Sequence, residues 1–248
     1  MGLRCISDES LESTGFHYTL SLTGGRKIEV TKNTDGTYSF VMPAAEAAVH
    51  PVFREILTGV DVSDQFRDVL RDAWYHDAVQ WAVDKGVMNG IGADLFAPGE
   101  STTRAMVVTM LWRLEGEPDG KASPFTDVKA GSWYEQAVNW AAETGVVKGI
   151  SDTGFAPDDP VTRQQLAAIL YRYAQAEGQG FQGTWAFPLG FPDADQVSGY
   201  AYEPMCWMTM HGVINGMDDG TLAPKENADR AQIAAMIMRF CGEMEPVE

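Results

Sequence analysis

The chain has 248 residues, 45% apolar and 21% charged, which is long enough for a sizeable core and ordinary for a globular protein. Thirty-five acidic against eighteen basic residues leave a formal net charge of −17, which argues against nucleic acid or an anionic membrane surface as a partner. Cys5, Cys206 and Cys241 show no CxxC spacing, so neither a disulfide framework nor a zinc site is predicted.

The opening MGLRCISDES has one basic residue and no apolar stretch, and no run of eighteen apolar residues occurs. Neither a signal peptide nor membrane insertion is therefore expected in this chain, and the start of an exported form would lie upstream of Met1. Across residues 1–58, Tyr18, Leu20 and Leu22, then Ile28 and Val30, then Tyr38, Phe40 and Met42 alternate with polar neighbours, separated by TGGR and NTDG. That pattern predicts a three-stranded antiparallel meander. It is marginal alone, so it packs on the rest or is the end of a truncated β domain.

From residue 62 onward the chain repeats itself, which announces an architecture before any residue is interpreted. Phe66, Phe125 and Phe191 open FRD, FTD and FPD; Trp81, Trp140 and Trp207 follow, then Gly86, Gly145 and Gly212. After them come Gly90, Gly149 and Gly216, Pro98, Pro157 and Pro224, and finally Arg104, Arg163 and Arg230. The units span 62–118, 121–178 and 191–243, with a Gly-, Pro- and aromatic-rich loop inserted at 179–190.

Each unit predicts two helices. In the first, Trp74, Ala78, Trp81 and Ala82 recur as Trp133, Ala137, Trp140 and Ala141, a spacing that makes one buried face. It stops at Gly86 or Gly145. In the third unit Pro204 replaces the alanine, so that helix is expected to begin near 203; Tyr200, one place out of register, stands for the tryptophan, and its pocket is expected to be the least typical. The second helix starts at the arginine and buries Val107, Leu111 and Leu114, matched by Leu166, Leu170 and Tyr173 and by Ile233, Ile237 and Phe240. Between the helices lies a turn-rich bridge whose Phe96, Phe155 or Leu222 plugs the core. Two short helices cannot cover their own apolar face, so the units must pack on one another.

On these positions the three units resemble S-layer homology (SLH) repeats, whose pattern runs from FxDV through a tryptophan-bearing helix and a glycine bridge to an ITRAE helix. The preface GRKIEVTKNTDGTYSFVMPAAEAAVHPVF resembles the tail of a small β repeat found before SLH triplets in surface proteins of Gram-positive gut bacteria. The resemblance implies a mainly α fold, a pseudo-threefold prism around a central three-helix bundle. It also implies an extracellular place at the cell wall or S-layer. The implied activity is non-covalent anchoring to an anionic, pyruvylated secondary cell-wall polysaccharide, or a peptidoglycan-linked glycan, in grooves between the units. By position, the implied glycan-binding residues are Arg104, Arg163 and Arg230; Asp68, Asp127 and Asp193; Trp74 and Trp133; and Gly90, Gly149 and Gly216. The glutamate of ITRAE is replaced by Met106, Gln165 and Gln232, the threonine of the third unit by Asp229, and the bridge DG survives only as Asp219 and Gly220.

The residues themselves support two readings of the arginine. Thr103, Thr162 and Asp229 are good N-caps, and Gln165 and Gln232 can complete a capping box where Met106 cannot. An arginine at the first helical position sits at the positive end of the helix dipole, a broken local rule that asks for compensation. Unpaired helix-start amides beside a guanidinium would suit a carboxylate. Alternatively, each arginine pairs with the FxD aspartate of the next unit and staples the assembly, or the aspartates are plain caps. Trp81, Trp140 and Trp207 read as core, whereas Trp74 and Trp133, at helix starts, could stack on a sugar. The glycines read first as backbone devices.

Nothing catalytic emerges: His17, His50, His76 and His211 are scattered with no hydrolase or phosphate-loop spacing. Asn215, Asp219, Gly220 and Glu226 loosely suggest a calcium loop, but Met217 interrupts it. No enzyme activity, metal or cofactor is expected. The competing readings are a structural or protein-interaction prism that does not bind glycan, and the anchor fragment of a larger surface enzyme.

Overall fold

The computed structural model describes residues 16–21, 30–32, 38–40, 50–55, 59–181, 183 and 187–244. The N-terminal region contains β1 (Phe16–Ser21), β2 (Val30–Lys32), β3 (Tyr38–Phe40) and β4 (His50–Glu55). β2 pairs antiparallel with β3, as expected, but β1 pairs with β4, in a register running from Phe16 opposite Glu55 to Ser21 opposite His50. Among the described residues these are two two-stranded sheets, and β1 pairs with β4 where the expected three-stranded meander has it beside β2. The fourth strand carries Pro51, which has no N–H to donate and so argues locally against pairing. Leu22, Ile28, Met42 and both turns lie outside the described residues.

The rest of the chain is helical: α1 (Val62–Gln65), α2 (His76–Asp84), α3 (Arg104–Leu114), α4 (Glu135–Glu143), α5 (Arg163–Ala176), α6 (Gly199–Met210) and α7 (Arg230–Met244), with a 3-10 turn at Ala194–Gln196. Gly86, Gly145 and Gly212 follow the first helix of each unit with φ of 64°, 77° and 67°, the left-handed stop their position predicts. Val107, Leu111, Leu166, Leu170, Ile233, Ile237 and Phe240 are buried on the second helices, and Phe96, Phe155 and Leu222 are fully buried plugs.

Contacts between units close on themselves. α3 packs on α4, α5 on α6, and α7 on α2, so the second helix of each unit meets the first helix of the next. Three equivalent backbone positions repeat that cycle. Thr102 N–H donates to Ala228 O (3.2 Å), Ala228 N–H to Val161 O (2.9 Å), and Val161 N–H to Thr102 O (2.9 Å).

Two helix expectations change. Trp74 and Trp133 do not join the buried faces; they precede α2 and α4 and are 65% and 59% exposed, each edge-on to the following tyrosine. α6 begins at Gly199, not near 203, and carries the buried Pro204 inside it. Tertiary contacts hold the extra turn against the proline's local preference: Ala201 is fully buried, and Ser198 N–H donates to Gln164 Oε1 (3.0 Å) on α5.

Candidate functional site

Helix initiation proceeds largely as the sequence suggests. The Thr103 and Thr162 hydroxyls accept from the N–H of Met106 (3.3 Å) and Gln165 (3.4 Å), and Asp229 Oδ1 accepts from Gln232 N–H (2.7 Å). A full capping box forms in α5, where Gln165 Oε1 accepts from Thr162 N–H (2.9 Å). Gln232 is turned instead to Arg163, whose Nη1 donates to its Oε1 (3.4 Å).

The helix-start amides are not open to an anion. Arg104 and Ala105 N–H donate to Asp159 O and Pro157 O; Arg163 and Gln164 N–H to Glu226 O and Pro224 O; Arg230 and Ala231 N–H to Glu100 O and Pro98 O. The expected amide nest is therefore consumed by the neighbouring unit's bridge. Those carbonyls are otherwise unpaired at a unit boundary, which is why they capture the amides.

Nor do the arginines pair with the FxD aspartates. Arg104 Nε donates to Phe155 O, Arg163 Nε to Leu222 O and Arg230 Nε to Phe96 O, each at 2.8 Å. Arg104 Nη2 also reaches Lys148 O (3.2 Å) and Arg230 Nη2 reaches Asn89 O (2.6 Å). The guanidinium groups of Arg104 and Arg230 lie over the Phe155 and Phe96 rings, at 4.8 and 4.5 Å. Leu222 offers Arg163 no ring.

Asp68, Asp127 and Asp193 grip the same bridge peptides from the other side. Asp68 accepts from Phe96 and Ala97 N–H (2.9 and 2.6 Å), Asp127 from Phe155 and Ala156 (2.8 and 2.7 Å), and Asp193 from Leu222 and Ala223 (2.8 Å each). Ala97, Ala156 and Ala223 adopt φ of 59°, 57° and 48°, a left-handed conformation that costs a non-glycine residue roughly 1–2 kcal/mol. Two carboxylate bonds at each position offset that strain. Around Asp127, burial opposes the charged form, but the bonds from Phe155 and Ala156 outweigh it and hold the carboxyl below its ordinary range. The bridge glycines serve close approach: a Cβ at Gly90, Gly149 or Gly216 would meet Cε1 of Phe66, Phe125 or Phe191 at 2.5, 2.6 or 2.8 Å.

Two open clefts result. One, of about 720 Å³, joins Arg104 of the first unit, Gly149 of the second and Tyr200 of the third. The other, of about 610 Å³, joins Arg163, Gly216 and Trp74. Both have the size of small-ligand sites. Arg104, Arg163 and Arg230 are only 6%, 4% and 6% exposed, yet the first two reach a cleft wall. Tyr200 is 54% exposed, presenting its ring where the sequence placed a stand-in for tryptophan. The three aspartates line neither cleft.

The S-layer homology domain family matches the chain three times, over residues 65–105, 124–167 and 190–234. The chain belongs to that family. It is 29% identical over 214 residues to a surface-layer 125 kDa protein of Lysinibacillus sphaericus, covering 85% of this chain and 17% of that protein. It is 33% identical over 175 residues to the S-layer protein sap of Bacillus anthracis, covering 70% and 21%. An amylopullulanase of Thermoanaerobacterium thermosulfurigenes is 30% identical over 173 residues, covering 69% and 9%. The chain thus spans a small part of these relatives. S-layer homology domains attach proteins to the cell surface, and no helix among the described residues is long and apolar enough to cross a membrane.

This S-layer homology triplet carries a second set of repeated arginines, two of which line the clefts. Arg113, Arg172 and Arg239 occupy the same place on the second helices, nine residues after the motif arginine. Arg172 lines the Arg104 cleft and Arg239 the Arg163 cleft. A lone arginine on a helix reads as a solvated charge; the repeat of all three at one position is the signal in the sequence. Burial is the main cause pushing the Arg104 guanidinium below its ordinary pKa, and Arg172 adds to it; burial likewise lowers Arg163 and Arg230. Arginine nevertheless stays charged. Cys206 and Cys241 are not joined.

Proposed function

We propose that the chain is a non-catalytic cell-surface anchor that binds an anionic, pyruvylated secondary cell-wall polysaccharide in the clefts between its units. The three units, 62–118, 121–178 and 191–243, form a pseudo-threefold prism around a central bundle of α3, α5 and α7. The cyclic hydrogen bonds and helix pairs support this arrangement. Arg104 with Gly149 and Tyr200, Arg163 with Gly216 and Trp74, and by equivalence Arg230 with Gly90 and Trp133, hold the glycan. Asp68, Asp127 and Asp193 position the bridges and do not touch the sugar.

One observation carries the reading: in both clefts a buried guanidinium, with part of its five-donor fork spent on a neighbouring carbonyl, faces open space beside an exposed aromatic ring. Fixed donors of that kind grip a carboxylate, and the ring offers a face to a sugar. Several weak clefts on one polymer act together, because the second contact forms at high effective concentration. The test is a pull-down on cell-wall sacculi before and after removal of pyruvyl groups. Retention lost on removal supports the reading; equal retention contradicts it.

A structural reading is favoured by the arginine bonds to backbone carbonyls, which staple the units whether or not glycan binds. Arg163→Lys separates the two: lysine keeps the charge but loses the fork, so a pure staple leaves glycan retention intact in any variant that still folds. Because the chain matches only part of its relatives, a catalytic or layer-forming region elsewhere in a longer protein belongs with this proposal.

A further inference from the structure

Arg113, Arg172 and Arg239 share one repeat position but not one fate. Arg113 Nη1 donates to Val87 O (3.1 Å) and Arg239 Nη1 to Val213 O (3.5 Å), the carbonyls that follow the stop glycines of their own units. Arg172 makes no such bond to the equivalent Val146, and it has no hydrogen-bond or ion-pair partner among the described residues. It is half-buried on α5, in the wall of the Arg104 cleft. Glu203 is the one acidic residue among the described lining residues of that cleft, and its Oε1 is taken by the Tyr171 hydroxyl (2.6 Å). Burial first, then the bond to Glu203, push the Tyr171 hydroxyl up to about 12, so it stays a donor at neutral pH. Two arginines and Lys148 therefore line one cleft against the single lining carboxylate of Glu203, in a chain of net charge −17. Like charges drawn together and partly desolvated are unfavourable without a counter-charge. The Arg163 cleft differs: Arg239 is tied to Val213, and Asp218, Asp219 and Asp229 share its walls.

We infer that Arg172 is a second anion-binding group, which with Arg104 makes that cleft select ligands bearing two carboxylates over ligands bearing one. The inference rests on the anion-site reading of the cleft but not on the ligand being a wall glycan. Each guanidinium takes one carboxylate, Tyr200 forms the apolar side, and the clefts of the triplet are specialised: the Arg104 cleft holds a doubly acidic unit, the Arg163 cleft a singly acidic one.

The test titrates the full chain with acetate, malonate, succinate and glutarate at fixed ionic strength, following amide NMR signals around Gly149 and Tyr200. At least one dicarboxylate should bind about tenfold tighter than acetate, the gain expected of one further charge-assisted contact. Arg172→Gln should bring that ratio close to one, and Arg172→Lys should restore part of it. Arg71→Gln, which makes the same charge change on an exposed surface, should leave it unaltered. Far-UV circular dichroism and melting curves confirm that each variant is folded, and Arg172→Lys keeps the test valid if glutamine destabilises α5. No dicarboxylate preference in the parent chain, or an unchanged ratio in folded Arg172→Gln, overturns the inference. Loss of sacculus binding with the dicarboxylate preference intact removes only the wall-glycan reading, whereas sacculus binding without that preference removes only this inference.

Discussion

The Arg104 and Arg163 clefts stand on one frame and differ in what faces the opening. In each, a motif arginine and an FxD aspartate hold opposite sides of a bridge peptide, at closely matched distances. Above that frame, the first cleft collects Arg104, Lys148 and Arg172 against Glu203, and the second collects Arg163 and Arg239 against Asp218, Asp219 and Asp229. The comparison teaches that backbone hydrogen bonds fix the geometry while side chains around it are free to change the charge. Duplicated units can thus keep a fold and diverge in ligand.

The frame should break most easily where it is buried. Asp193→Ala leaves the buried Leu222 amide and the half-buried Ala223 amide unpaired and a strained Ala223 unsupported, so a loss of about 3 kcal/mol is expected in urea unfolding. Asp127 lies exposed, the Ala156 amide it accepts from can turn to water, and Asp127→Ala should cost about 1 kcal/mol. Equal losses would contradict the difference drawn between the two bridges. Next in size, Arg104→Gln should weaken retention on pyruvylated wall glycan about tenfold, and Arg163→Gln less, because the acidic walls of its cleft already oppose an anion. The opposite order would mean that lining charge does not rank the clefts.

Much of this frame was legible in the sequence. Period, glycine stops, threonine caps and the Phe96, Phe155 and Leu222 plugs all follow from residue type and spacing, whereas which helices pair across the units does not. What the arginines and aspartates bind did not follow, because their partners are backbone carbonyls and amides, which every residue carries and no residue type announces. Pro204 misled for a related reason: the turn before it is secured by Gln164 across a unit boundary. The pairing of β1 with β4 depends on a strand whose proline hides it.

Smaller effects sharpen the contrast further. Gln165→Ala removes the capping box from α5, beside the Arg104 cleft, at a cost of about 0.5–1 kcal/mol. Gln232→Ala should cost α7 less, since that side chain faces Arg163 and not its own cap; equal melting shifts would contradict this. The smallest effect is one of pH, expected on the Trp74 side. His76 bridges Asp61 (3.0 Å) and Asp77 (3.1 Å), and Arg71 also contacts Asp61 (3.3 Å). The bonds to Asp61 and then Asp77 raise the His76 pKa above its ordinary 6.5, while Ser63 and then His76 hold Asp61 well below the carboxylate range. Because the folded-state pKa is raised, the stabilisation is complete below about 6.5 and fades as pH rises through the raised value. Melting temperature should fall across that interval in the parent chain and lose this component in His76→Gln; identical profiles would place the effect elsewhere.

The most direct measurement follows arginine side-chain Nε–H signals while pyruvylated wall-glycan fragments are added to the full chain. The Arg104 and Arg163 signals should shift saturably, with the exposed Arg71 signal still, and depyruvylated fragments should move neither cleft. Binding with unmoved Arg104 and Arg163 signals, or equal shifts with both fragments, would contradict the claim that these buried guanidinium groups hold the acid of the glycan.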